Sequence, residues 1–293
     1  MKLVLGLTTA LLLTLAAAAP AAAADGKIAL VAAENFYGNV AQQIGGARVS
    51  VTSILNSPDQ DPHLFEVSPS VVRQIAAARI VVYNGADYDP WMRQLLRVTP
   101  KPGRVVIIAA DLVDKKSGAN PHIWYDPATM PAVARALAAA FTAADPAHND
   151  DYAARLKTFL ASLDQLNEKI AAIRGKYAGV AVTASEPVFG YMAAALKLKM
   201  RNERFQLAVM NDTEPSARDV AAFEQHLTTH QVRVLFYNKQ ASDKLVGHLV
   251  DLARASNIPV VGVTETCPPG MSYQDWMMSE LDDTEKALAG PSS

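Results

Sequence analysis

The residues of this 293-residue chain whose types and placement could do chemistry are His63, His122, Glu186 and Glu265. Imidazole nitrogens combined with carboxylate oxygens suit a divalent transition metal. The single cysteine, Cys267, excludes a Cys-based zinc site and an intramolecular disulfide. His63 stands in Asp59-Gln60-Asp61-Pro62-His63, and His122 in Asn120-Pro121-His122-Ile123-Trp124. Glu186 follows the apolar run Val180-Ala181-Val182-Thr183, and Glu265 follows Pro259-Val260-Val261-Gly262-Val263. A proline before each histidine stiffens the backbone and lowers the entropy of organising a site.

Four such side chains meet only if the chain brings distant loops together. Apolar runs at 27–33, 49–55, 80–83 and 105–108 read as strands, with helices over 36–44, 69–78 and 91–96 between them. This alternation predicts a mostly parallel sheet wrapped by helices. From Asp145-Pro146, apolar residues recur in steps of three or four at Tyr152, Leu156, Phe159, Leu163, Leu166, Ile170, Ile173 and Tyr177. That spacing predicts one amphipathic helix, ~45 Å long at ~1.5 Å per residue. Beyond it, strands are expected at 180–183, 205–209, 234–237 and 259–263. Helices are expected over 189–196, after a Ser216 cap, over 244–255 and over 273–288. The expected fold is therefore α/β, with two similar lobes joined by one long rigid helix. The bounds are 25–145 for the N-terminal lobe, 146–176 for the linking helix and 177–293 for the C-terminal lobe. Ligands of such sheets gather beyond the carboxyl ends of the strands, and each lobe sends two candidate residues there.

Half of the residues are hydrophobic, enough for real cores. With 27 basic and 29 acidic residues, the chain has no cationic excess for nucleic acid. Lys2, an apolar stretch over 3–19 and Ala22-Ala23-Ala24 predict a signal peptide over 1–24, cleaved before Asp25. No cysteine follows that stretch at once, so a periplasmic protein without a lipid anchor is expected.

At these residues the sequence resembles the metal-binding subunits of bacterial ABC importers for zinc and manganese, in the cluster with a rigid inter-lobe helix. Asp61-Pro62-His63 resembles the first ligand loop of that family. Asn120-Pro121-His122-Ile123-Trp124-Tyr125-Asp126-Pro127 resembles the second, and Ser185-Glu186-Pro187-Val188-Phe189-Gly190-Tyr191 the third. Zinc-type members usually carry His where Glu186 stands, and manganese-type members often carry Glu. The fourth ligand is commonly Asp after a late strand; here Glu265 falls in that place. The histidine-rich insertion of many zinc members is missing from residues 111–120. The resemblance implies a non-enzymatic monomer that takes one Mn²⁺ or Zn²⁺ ion as cargo and docks transiently on an ABC permease.

A competing reading is an exported zinc-dependent hydrolase, which would hold three protein ligands and keep a position open for water. The chain lacks HExxH, a nucleophile elbow and a P-loop. An organic-solute binder would instead turn Arg and aromatic side chains into the cleft. Asp61 and Asp126 are candidates either to orient a ligand histidine or to cap a turn. Cys267 is either a thiolate ligand or a buried thiol.

Overall fold

The computed structural model describes residues 26–58, 62, 65–240 and 244–290. His63, Asp61 and the expected signal peptide lie outside them. In the first half the elements run β1 (Ile28–Glu34), α1 (Asn35–Gly45), β2 (Val49–Leu55), α2 (Pro69–Ala77), β3 (Ile80–Tyr83), α3 (Pro90–Val98), β4 (Val105–Ile108), α4 (Ala109–Leu112) and α5 (Thr129–Ala144). Next come α6 (Asn149–Ser162) and α7 (Asp164–Tyr177). The second half holds β5 (Ala181–Ala184), α8 (Gly190–Ala195), β6 (Lys199–Arg201), α9 (Glu203–Met210), α10 (Ala217–Thr228), β7 (Leu235–Asn238), α11 (Lys244–Ala255), β8 (Val260–Val263) and α12 (Tyr273–Ala289).

Both sheets are parallel, and both have the same order: β2-β1-β3-β4 in one lobe and β6-β5-β7-β8 in the other. The first strand of each sheet lies between the second and the third. The chain therefore turns opposite ways on leaving the first and third strands, and a crevice opens at their carboxyl ends. Glu34 ends β1, Asn84 follows β3, Ser185 and Glu186 follow β5, and Asn238 ends β7.

The linking path is bent rather than straight. Asp145-Pro146 opens a single 3-10 turn, and α6 and α7 then meet at Leu163, whose N–H reaches back only three residues to the Leu160 carbonyl (3.1 Å). Helix α12 returns along this path. Lys169 and Lys176 of α7 both pair with Glu285 (2.8 and 2.7 Å), while the Tyr273 N–H donates to Asn39 of α1 (3.0 Å).

One core runs through both lobes. Its rings pass from Phe36 of α1 to Trp124 (4.8 Å between centroids), Tyr125 (6.1 Å), Phe189 (5.5 Å) and Phe236 of β7 (4.5 Å). A continuous close-packed core resists wide opening of the lobes. Among the described residues, no helix is long and apolar enough to cross a membrane.

Three elements differ from the sequence expectation. Phe205 to Val209 form part of α9, not a strand. Phe205 and Val209, four apart, face the same apolar cluster, while Leu207 is exposed, which is helical spacing. A short apolar run does not distinguish the two periods. The real neighbour of β5 is β6, a three-residue edge strand in which Lys199 and Arg201 flank Met200. Helix α5 was also unforeseen, although Met130, Val133, Ala134, Leu137 and Phe141 mark a buried face.

Candidate metal centre

His122 ends a short loop held by backbone and side-chain bonds from both lobes. Asn84 Nδ2 donates to the Pro121 carbonyl (2.8 Å), and Tyr191 Oη of α8 donates to the Asn120 carbonyl (2.8 Å). Asn120 Nδ2 donates to the Pro187 carbonyl (2.7 Å), beside Glu186. With its amide fixed that way, Asn120 presents Oδ1 to His122 Nδ1 at 2.7 Å. A carbonyl oxygen can only accept, so Nδ1 carries a proton towards Asn120 and Nε2 is the ring nitrogen left to face the cleft.

Glu265 arrives from the other lobe, just beyond β8, and is wholly buried. Asn238 Nδ2 donates to its Oε1 (2.5 Å), and Tyr88 Oη donates to its Oε2 (2.8 Å). Its own N–H donates to Gln240 Oε1 (2.6 Å). Burial and the Glu265 charge push the Tyr88 phenol well above its usual range, so it remains a donor. These bonds fix the carboxylate so that Oε2 lies 3.5 Å from His122 Nε2, with both side chains shielded from water. That separation is long for a hydrogen bond. It is right for two donors on one cation: ligands at ~2.0–2.2 Å and a tetrahedral angle stand roughly 3.3–3.6 Å apart.

Glu186 is buried at the carboxyl end of β5, with extended backbone leading into a 3-10 turn at Pro187–Phe189. Among the described residues, no group of three or more His, Cys, Asp or Glu side chains is close enough to hold a metal ion. The structure therefore brings His122 and Glu265 together. Glu186 precedes Pro187, whose carbonyl accepts from the same Asn120 side chain that holds His122, while His63 lies outside the described residues.

A family model described as the periplasmic zinc-uptake complex component A, ZnuA, matches residues 30–287. The chain belongs to the ZnuA family. Two relatives come from Bacillus subtilis. The manganese-binding lipoprotein MntA is 24% identical over 79% of this chain and 77% of its own. The high-affinity zinc uptake system protein ZnuA is 22% identical over 78% of this chain and 77% of its own. The solved structure of the periplasmic zinc binding protein TroA from Treponema pallidum shares the fold, with a TM-score of 0.76 at 17% identity. It matches 90% of this chain and 99% of that one. The ZnuA family is a solute-binding class, and nothing in these likenesses supports the hydrolase reading.

Within this ZnuA-family chain the orienting residue is Asn120, not Asp126. The Asp126 carboxylate accepts from the Ala128 N–H (3.1 Å) and pairs with Lys115 (3.6 Å), so it caps a turn. Cys267 is the buried thiol of the two alternatives. Its Sγ faces the carbonyls of Met271 (3.5 Å) and Ser272 (3.8 Å), and burial pushes the thiol up to about 12. Asn120, Tyr88, Asn238 and Gln240 are contributors that residue type alone did not disclose. Their one signal was position, in loops beyond strand ends or beside a candidate ligand.

A further carboxyl pair lies under the N-terminal wall. Burial raises Asp89 to about 6, while the N–H groups of Asn84 (2.6 Å) and Gly85 (2.8 Å), from which it accepts, hold it below what burial alone would give. Glu34 beside it is raised well above the usual carboxylate range by burial and by the Asp89 charge, so the pair keeps its proton on Glu34.

Removing the Asn120 amide frees the imidazole to rotate or change tautomer. Asn120→Ala is expected to weaken metal binding by about 10- to 100-fold, the usual cost of losing an outer partner of a ligand histidine. Asp126→Ala should bind as the parent does. Equal losses in the two variants, measured by competition with a chelating dye, would contradict the assignment of Asn120.

Proposed function

We propose that this chain is the extracytoplasmic solute-binding component of a metal importer. It captures one divalent transition-metal ion, Mn²⁺ or Zn²⁺, between its lobes and delivers it to an ABC permease. His63, His122, Glu186 and Glu265 are the ligands, two from each lobe. The chain acts as a monomer, exported through a cleaved signal peptide over 1–24 and without a lipid anchor. Its lobes span 25–145 and 177–293, with the linking helix over 146–176.

One observation carries the reading. A buried imidazole nitrogen and a buried carboxylate oxygen, from different lobes, stand 3.5 Å apart with their other polar atoms already engaged. The names of the two Bacillus subtilis relatives support a manganese or zinc cargo. Two imidazoles with two carboxylates form a mixed N/O site that suits Mn²⁺, while zinc binds more tightly to almost any such set.

Capture needs little movement and no bond chemistry. The ion sheds water as imidazole nitrogens and carboxylate oxygens close around it. The shared core confines opening to the loops and a small lobe displacement. Release then depends on docking, since nothing within a closed buried set weakens it spontaneously.

The test is calorimetric titration of the mature, chelator-stripped protein with Mn²⁺ and Zn²⁺, with elemental analysis of the product. One tight equivalent is expected, and no binding of either metal would overturn the reading. In the same assay, Glu186→His should raise the zinc-to-manganese affinity ratio, because an imidazole replaces a harder oxygen donor. An unchanged ratio would remove residue 186 from the ligand set.

A further inference from the structure

Behind the site, a carboxyl group of the C-terminal helix joins the two ligand loops. Glu280 of α12 is almost fully buried. Its Oε1 accepts from Trp276 Nε1 (2.8 Å) and from the Thr264 N–H (3.2 Å), one residue before Glu265. Its Oε2 lies 2.7 Å from Tyr125 Oη, three residues after His122. The same Tyr125 oxygen lies 2.8 Å from the Thr264 carbonyl.

The hydrogen count decides what this cluster is. Tyr125 carries one hydroxyl proton and faces two oxygens, both at full hydrogen-bond distance. The Thr264 carbonyl can only accept. If Glu280 were ionised, Oε2 could only accept too, and one contact would set two oxygens together without a proton. A second proton on Glu280 Oε2 removes the conflict: Glu280 donates to Tyr125, and Tyr125 donates to Thr264.

We propose that Glu280 is held as a neutral carboxylic acid and, as a positioning residue, locks the His122 loop to the Glu265 loop across the lobes. This rests on the metal-site reading for its functional meaning, but not for the proton itself. Burial raises Glu280 from its ordinary 4.5 to about 7, so the neutral form is accessible in the periplasmic range. The groups facing it do not reverse this. The hydrogen bonds from Tyr125, Trp276 and the Thr264 N–H, and then the charge of Lys239 beyond β7, act in the opposite direction, and burial outweighs them. Tyr125 and Cys267 keep their protons, and Glu265 lies on the Tyr125 side.

Glu280→Gln is the isostere of the proposed state. Its amide nitrogen would donate to Tyr125, and its oxygen would accept from Trp276 and Thr264. The infrared difference spectrum of the metal-free parent minus this variant, at pH 6, should show a protonated-carboxyl stretch that the variant loses. Stability gives a second readout. A carboxyl whose folded pKa is raised favours the fold below pH 4.5, and that contribution is lost as pH rises to about 7. Over that window the unfolding constant of the parent should therefore rise about tenfold more per pH unit than that of Glu280→Gln, a difference of one proton on top of the dependence that Glu34 and Asp89 give to both. Tyr125→Phe, which breaks the relay, should weaken metal binding by about 10- to 100-fold while Glu280→Gln does not.

A parent spectrum without the Glu280 band, or a Glu280→Gln variant with the parent's pH dependence, would overturn the proposal. Both measurements use metal-free protein. A Glu280 band with no metal binding would leave this network intact and remove the importer reading instead.

Discussion

Metal affinity falls by about 10²- to 10³-fold when His122 is changed to alanine. If the four proposed ligands together provide ~10–16 kcal/mol, each contributes roughly 3 kcal/mol, and each 1.36 kcal/mol is tenfold. The loss should fall on binding more than on folding. His122 Nδ1 has a single partner in Asn120, and its removal leaves Asn120 near the cleft where water can replace it. Titration of the variant with Mn²⁺ and Zn²⁺ measures the loss, and thermal unfolding of the metal-free form checks the fold. An affinity within a few-fold of the parent would take residue 122 out of the coordination set.

Trp124→Ala should have the largest effect on stability. The ring is wholly buried where the lobes meet. It packs against Phe36 (4.8 Å), Tyr88 (4.9 Å) and His122 (5.2 Å). Truncating a buried Trp costs about 3–5 kcal/mol through lost burial and the cavity left behind. Tyr88 and His122 would lose the surface that holds them, so metal affinity should fall as well. Denaturant unfolding of the metal-free variant reads the first effect. A loss under about 1 kcal/mol would mean that the seam between the lobes is not the main core.

The parts of this fold that were readable in the sequence share a physical reason. The inner strands β1, β3, β5 and β7 are largely buried on both faces, so each appears as a short apolar run. The Ser216 cap was visible because a side chain followed by an acidic residue three positions later announces a helix start, and Ser216 does accept from the Asp219 N–H (3.2 Å). Residues 205–209 were misread because five apolar-rich residues fit either period. Only the buried partners of Phe205 and Val209 decide between them.

The candidate site was legible to a similar depth. His122 and Glu265 stood out by type and by their place beyond predicted strands, and the structure brings them together. Glu186 carried the same signal, and its ligand role remains the proposal made above. The residues that aim them did not stand out. Asn120 and Asp126 flank His122 with equally suitable acceptors, and only the fold shows that Asp126 turns to Lys115. Tyr88 and Glu265 are 177 residues apart, a contact no local pattern encodes. Glu280 sits on an amphipathic helix, where a glutamate ordinarily faces water.

The most direct test of the central claim is anomalous diffraction from crystals loaded with Mn²⁺ or Zn²⁺, collected at the absorption edge of each metal. The account predicts one peak per molecule between His122 Nε2 and Glu265 Oε2, with donors from His63 and Glu186 completing the shell at ~2.0–2.2 Å. A peak elsewhere, or one whose shell omits His122 or Glu265, would contradict it.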